Sequence, residues 1–226
     1  MKNISTLVFD LETIPSEEKP TPEDIKVPAN YKKPESIEAY RNDPEVLDAA
    51  WKSQSLDPAV GRILSIAWIL DDEPVRSLVN EDEKQLMMDF QEQLQEQFRA
   101  RFLGQDHMAH PTLIAHNARK FDVSYLWLRI IKYDCEWLLR VVGSDINEIR
   151  YKDTMMVMGV LNGFGHSYVS LKKACKLFGF TAKKDDIDGS MVFAYWQAGR
   201  LEEIRKYCEN DTIACYNLAR KLKLIL

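Results

Sequence analysis

The chain has 226 residues, 46% of them hydrophobic and 29% charged, enough to close one full core and too rich in apolar residues for wholesale disorder. Its formal charge of −5 gives no overall attraction for a polyanion, so any nucleic-acid contact has to run along a local basic path. No apolar run approaches the roughly 20 residues of a membrane span, and the short run from Ile4 to Phe9 does not make a signal peptide. These features predict a cytoplasmic location and no membrane partner, and set no oligomeric state.

Ile4 to Asp10 reads as a buried strand of β-branched and aromatic residues ending at acids. From Ile14 to Pro58 the chain carries seven of its nine prolines, with one helix expected over roughly Glu35 to Lys52. We read residues 1–226 as a single domain carrying this segment, about 14–58, as a proline-rich insertion. Arg62 to Leu70 is the second strand, and Val75 to Val79 is its antiparallel hairpin partner. Glu83 to Leu103 has helical periodicity and stops at Gly104. Thr112 to His116 is a short fourth strand. Phe121 to Tyr133 is a helix with Tyr125, Leu128 and Ile131 set to face a sheet. Ile149 to Asp153 is a candidate fifth strand, Leu171 to Phe178 a short helix ended by Gly179, and Leu201 to Leu224 a long helix preceded by Gly199. The order fits an α/β fold of the ribonuclease H-like plan, a mixed five-stranded sheet with flanking helices.

Three places carry chemistry. In Asp10-Leu11-Glu12 the strand period of two sends both carboxylates to one face and Leu11 to the other. Two like charges so close favour a shared proton or a hard cation such as magnesium or manganese. Solvated acids at a strand end would give the same pattern. The run Ile114-Ala115-His116-Asn117-Ala118-Arg119-Lys120-Phe121-Asp122 is a strand end, a polar loop and an acid at the start of a helix. Asp122 can serve there as an ordinary N-cap, while His116 and Asn117 stand where backbone groups can meet a substrate and Arg119 and Lys120 bring positive charge. In Tyr207-Cys208-Glu209-Asn210-Asp211 a spacing of four stacks the phenol and the carboxylate on one helix face among apolar neighbours, where an unpaired acid is costly.

Other residues have plainer readings. Cys135, Cys175, Cys208 and Cys215 have no CxxC spacing and read as reduced packing residues. His107 and His110 sit in a loop before Pro111, and Asp153 can cap the segment from Thr154 or support the site from behind. Lys172, Lys173, Lys176, Lys183 and Lys184 suit a solvated face or a phosphate track. Trp51, Trp127 and Trp196 suit core packing better than base stacking.

In order, FDLET, IAHNARKFD and YCEND resemble the three exonuclease motifs of the DEDD superfamily, DnaQ-like 3′-5′ exonucleases of ribonuclease H-like fold. Tyr207 four residues before Asp211 makes the chain similar to the DEDDy branch, and within it to the predicted exonucleases related to the proofreading domain of family B DNA polymerases. The resemblance implies two divalent cations, Mg2+ or Mn2+, with Asp10 bridging them, Glu12 and Asp211 completing one site and Asp122 holding the second. It places Tyr207 beside the attacking water, and Leu11, Thr13, His116, Asn117 and Phe121 against the substrate. It implies removal of nucleoside monophosphates from the free 3′ end of single-stranded nucleic acid, DNA in preference to RNA. An inactive binding module on the same fold and an RNA-specific nuclease are the alternatives. The proline-rich insertion and the lack of a polymerase domain are its departures from the polymerase pattern.

Overall fold

The computed structural model describes residues 6–101, 110–145, 149–161, 169–180 and 187–225. Ile4, Leu103, Gly104, His107, Lys183, Lys184 and Asp185 lie outside them. Two compact units are present, residues 1–12 with 63–226, and residues 13–62.

The larger unit is built on a five-stranded sheet of order β3-β2-β1-β4-β5, with β1 Thr6–Ile14, β2 Arg62–Leu70, β3 Arg76–Val79, β4 Thr112–Ala115 and β5 Tyr151–Asp153. β2 and β3 pair antiparallel, whereas β4 is parallel to both β1 and β5, so the sheet is mixed. This is the α/β, ribonuclease H-like plan that the element order predicts. β1 is central and covered on both faces, which accounts for its nearly unbroken burial. It also extends past Asp10, where the sequence predicts its end, because Leu11, Thr13 and Ile14 continue the buried pattern.

The period of two then divides β1 between two layers. Leu7, Phe9 and Leu11 join the main core with residues of α3 Glu83–Arg101, α4 Asp122–Lys132 and α5 Glu136–Val142. Val8 packs instead with Ile69 and Ile114 against Cys215 and Ala219 of α9 Leu201–Lys221. Asp10 and Glu12 therefore belong to the strand face that looks toward α9. Burial of each such aliphatic side chain stabilises the sandwich by roughly 1.5–3 kcal/mol.

Three expectations change. α4 buries Tyr125 but leaves Leu128 and Ile131 37% and 44% exposed. Its inward stripe is Val123, Leu126 and Ile130, and Arg129 is drawn in by a buried ion pair with Glu83 at 2.6 Å. The helix expected near 35–52 is two, α1 Pro34–Arg41 and α2 Pro44–Ser53. Pro44 has no amide to continue α1, and the Asp43 carboxylate caps α2 by accepting from the Glu45 amide at 2.9 Å. Within that smaller unit the buried Trp51 indole donates to the Ser16 carbonyl at 2.8 Å. Finally, α5 and a short helix Val192–Gln197 occupy segments to which the sequence assigns no element. Gly179, with φ +76°, ends the helix Leu171–Leu177 as expected. All four cysteines are free and buried. Among the described residues no helix is long and apolar enough to cross a membrane.

Candidate active site

Asp10 and Glu12 on β1 and Asp211 on α9 each place an oxygen within 4.8 Å of the others. The helix is fixed against the strand by small polar contacts. The Cys208 thiol lies 3.3 Å from the Asp10 carbonyl, which it can meet as a donor, and the buried Thr212 hydroxyl sits 3.3 Å from the Ala67 carbonyl. On its flank, Arg205 and Glu209 of α9 both bond Ser77 of β3, at 2.5 and 2.6 Å. One turn before Asp211, Tyr207 bonds the Asp211 carboxylate through its hydroxyl. A Cβ on Gly189 would come within 4.0 Å of that hydroxyl, so the segment leading into α9 closes over the phenol.

Asp122 arrives from the opposite side of the sheet's end. The turn after β4 is held by Asp153, whose carboxylate accepts from the Asn117 amide at 3.0 Å and the Arg119 amide at 3.3 Å. The same group accepts from the Met155 and Met156 amides at 2.9 and 3.3 Å, capping the helix Thr154–Leu161. Asp153 thus performs both of the roles between which the sequence leaves a choice. Asn117 takes a left-handed φ of +73°, a conformation asparagine tolerates, and the chain turns sharply there. Asp122 is not the N-cap of α4, since Phe121 holds that position without a side-chain bond. Its carboxylate is 2% exposed and is held by its own amide and that of Leu11, while Oδ1 has no hydrogen-bond partner among the described residues.

The electrostatics of these acids agree in sign. Burial, then the neighbouring charges of Glu12, Asp122 and Asp211, push the Asp10 carboxyl well above the usual range. Burial followed by Asp211 and Asp122 does the same to Glu12. Asp122 is pushed up to about 8, chiefly by burial, with the two amides opposing and Asp153 adding to the rise. The Tyr207 phenol is raised by burial and by Glu12, Asp211 and Asp10. Among the described residues no basic side chain forms an ion pair with Asp10, Glu12 or Asp122. Clustered hard oxygen donors with an orphaned buried oxygen fit a divalent cation well.

The residues expected to touch substrate fall into two groups. The Leu11 side chain is 3% exposed in the main core, and its amide holds Asp122. Thr13 is buried, and its hydroxyl donates to the Ser55 carbonyl at 2.6 Å. The His116 ring is committed at both nitrogens, 2.8 Å from the Thr154 hydroxyl and 2.7 Å from the Val169 carbonyl, and burial lowers its pKa. Asn117 and Phe121 keep partial exposure on the turn, with the Phe121 ring tilted against Tyr125 at 5.0 Å. Cys208, read from the sequence as a packing residue, also brings its thiol to 3.3 Å from the Asp10 carbonyl, a contact for which the motif spacing carries no signal.

Known proteins place the chain further. The model of the family described as predicted 3′-5′ exonuclease related to the exonuclease domain of PolB matches residues 56–225. That span contains Asp122, Tyr207 and Asp211 and leaves out Asp10 and Glu12. No curated protein matches. Among solved structures, the family B DNA polymerase from the hyperthermophilic archaeon Pyrobaculum calidifontis matches with a TM-score of 0.56 at 18% identity, over 98% of this chain and 25% of the polymerase chain. The chain thus spans about a quarter of that polymerase's length, and the likeness is one of fold. With three quarters of its length matched by the family model, the chain belongs to the predicted 3′-5′ exonucleases related to the exonuclease domain of PolB.

Proposed function

We propose that this protein removes nucleoside monophosphates from the 3′ end of single-stranded nucleic acid, DNA in preference to RNA, with two divalent cations, Mg2+ or Mn2+, in the DEDDy manner. The observation that carries the reading is the gathering of Asp10, Glu12 and Asp211 within 4.8 Å with the buried Asp122 nearby, where desolvation and mutual repulsion raise the pKa values of Asp10, Glu12 and Asp122 and disfavour the ionised state that neutral pH demands. Asp10, Glu12 and Asp211 would hold one cation, and Asp122 with Asp10 the second. Such a pair supplies a nucleophile at neutral pH and offsets charge on the phosphate and the leaving oxygen.

The chain's own groups orient and exclude. The Tyr207 hydroxyl, bonded to Asp211 and with a raised pKa, keeps its proton and is suited to orienting water rather than to abstracting a proton. Gly189 stands beside that hydroxyl, at a distance where an added Cβ would make an ordinary contact. Asp153 fixes the turn that delivers Asp122, and Asn117 and Phe121 on the turn are placed to meet the terminal nucleotide.

The test uses matched DNA and RNA oligonucleotides labelled at the 5′ end, with free or phosphate-blocked 3′ ends, incubated with Mn2+. A ladder shortening from free 3′ ends, faster on DNA, is the expected result. Internal cuts, or equal cutting of a circular single strand, would overturn it. Binding without cleavage of any substrate would favour an inactive module on the same fold.

A further inference from the structure

A cavity of about 550 Å3 lies along α4, and none of its lining residues belongs to the carboxylate cluster. Its wall includes Arg119, Val123, Trp127, Leu128, Ile149 and Tyr151. The volume is that of a site for a small organic molecule or a single nucleotide unit. Three features of the wall need explaining. The Trp127 indole N–H is buried with no hydrogen-bond partner among the described residues, which is uncommon for a donor that has no function. Leu128, 37% exposed, is one of two large apolar side chains that α4 leaves exposed, with Ile131, and it is the one that lines the cavity. Arg119 is exposed, as are Lys120 beside it and Arg150 between the lining residues Ile149 and Tyr151, and none of the three forms an ion pair among the described residues.

Charge and shape together select the occupant. Unpaired cations at the rim attract a polyanion in a chain whose net charge is otherwise −5. Aromatic and apolar wall accepts the face of a base, and the exposed Arg119 guanidinium offers donors to a phosphate oxygen. The position links the cavity to the acids. Arg119 precedes Asp122 by three residues on the turn held by Asp153, Val123 follows it directly, and Trp127 lies about 7.5 Å further along the helix axis.

We propose that this cavity is a nucleotide subsite, holding a base and its phosphate from the part of the strand that has not yet reached the carboxylate cluster. The proposal rests on the exonuclease reading. Arg119 contacts the phosphate, Trp127 and Tyr151 contact the base, and the strand is thereby held as its end is shortened. The subsite makes binding depend on strand length, because only a strand that extends beyond the terminal nucleotide fills it.

Anisotropy of labelled DNA strands of two to eight nucleotides, measured on the full chain in chelator so that nothing is cut, tests this. Arg119→Ala, at an exposed position, should weaken binding of the longer strands and reduce the slope of log Kd against log salt by about 0.7, the loss of one phosphate contact. Trp127→Ala, which removes the ring on which a base would stack, should weaken the same strands at least about fivefold. Both losses should appear only above the length at which the strand reaches the cavity. Unchanged affinity and salt slope in Arg119→Ala, with the wild type still shortening strands from the 3′ end, would overturn the subsite and leave the exonuclease reading standing. A wild type that neither binds nor cuts any strand would overturn both.

Discussion

Glu83 at the start of α3 and the group of Asp10, Glu12, Asp122 and Asp211 are all carboxylates that folding removes from water, yet their surroundings differ in kind. Glu83 accepts from the Ile63 amide and Arg129 at 2.6 Å, from the Tyr133 hydroxyl at 2.7 Å and from Lys132 at 3.2 Å. Burial is the largest single influence and works upward, but the Tyr133, Ile63 and Arg129 bonds outweigh it and the Glu83 pKa is lowered. Asp10, Glu12 and Asp122 have like charges for neighbours, and their pKa values are raised. Burial alone therefore does not mark a functional acid. The mark is burial without compensation, which a fold retains only where something outside the chain is to supply the missing charge.

The largest effect that would break this contrast is on activity. Asp10→Asn and Asp211→Asn keep the side-chain shape and remove a charge from the cluster, so hydrolysis should fall by at least about a thousandfold as several kcal/mol of transition-state stabilisation is lost. In chelator the same variants should melt at the wild-type temperature or above it, because a repulsion has been relieved. A large fall in melting temperature for both would make these acids structural, like Glu83. Glu83→Gln should behave in the opposite way. Removing the charge that Arg129 meets at 2.6 Å in the interior should cost about 3–5 kcal/mol of stability, while the folded fraction keeps its turnover. Since the folded pKa of Glu83 is lowered, its contribution is complete above the unfolded value near 4.3 and is lost as pH falls through the folded value. Denaturant melts should show the gap between wild type and Glu83→Gln at pH 7 and its closure in acid. A gap that persists unchanged at low pH would remove the ionised carboxylate from the explanation.

The same contrast explains what could be read from the sequence. β2 occupies Arg62–Leu70, the span its apolar run predicts, and the period of two on β1 correctly sends Asp10 and Glu12 to one face. Local periodicity suffices for both. It fails where a distant residue decides. Leu128 and Ile131 look like inward residues of α4 until Glu83, 46 residues before Arg129, pulls that arginine into the interior and sets which face turns inward. Asp153 gathers amides from a turn 34 and 36 residues earlier, a task invisible in its own neighbourhood. Pro44, by contrast, announces the break between α1 and α2 locally, and the apolar spacing around it hides the signal. The convergence of Asp211 on β1 was legible from the motif order, whereas the orphaned oxygen of Asp122 emerges only from packing.

A metal titration sharpens the contrast further. Mg2+ or Mn2+ binding to the native state should raise the melting temperature, with stabilisation of about 2.7 kcal/mol when the ion is at a hundred times its Kd. For a chain of this length that corresponds to a shift of roughly 5–10 °C. Asp10→Asn should lose most of the shift, and Glu83→Gln should keep it from its lower starting point. Equal shifts in wild type and Asp10→Asn would place the ion elsewhere.

The smallest expected effect falls on Tyr207, which stands beside the cluster without contributing a carboxylate. Tyr207→Phe preserves the ring and deletes the hydroxyl that bonds Asp211. If that hydroxyl only orients the attacking water, kcat should fall by about tenfold, equivalent to roughly 1.4 kcal/mol, with the metal-induced rise in melting temperature intact. The pH profile distinguishes this from base catalysis. Burial, the largest influence on the phenol, raises its pKa and persists when cations offset the charges of Glu12, Asp211 and Asp10, so an orienting phenol is expected to stay protonated through the neutral range. The variant's profile of kcat against pH should therefore keep the wild-type shape at a lower level. Loss of an alkaline rise in Tyr207→Phe would instead make the phenolate a proton acceptor, and full wild-type turnover would leave Tyr207 as an aromatic of the α9 face and nothing more.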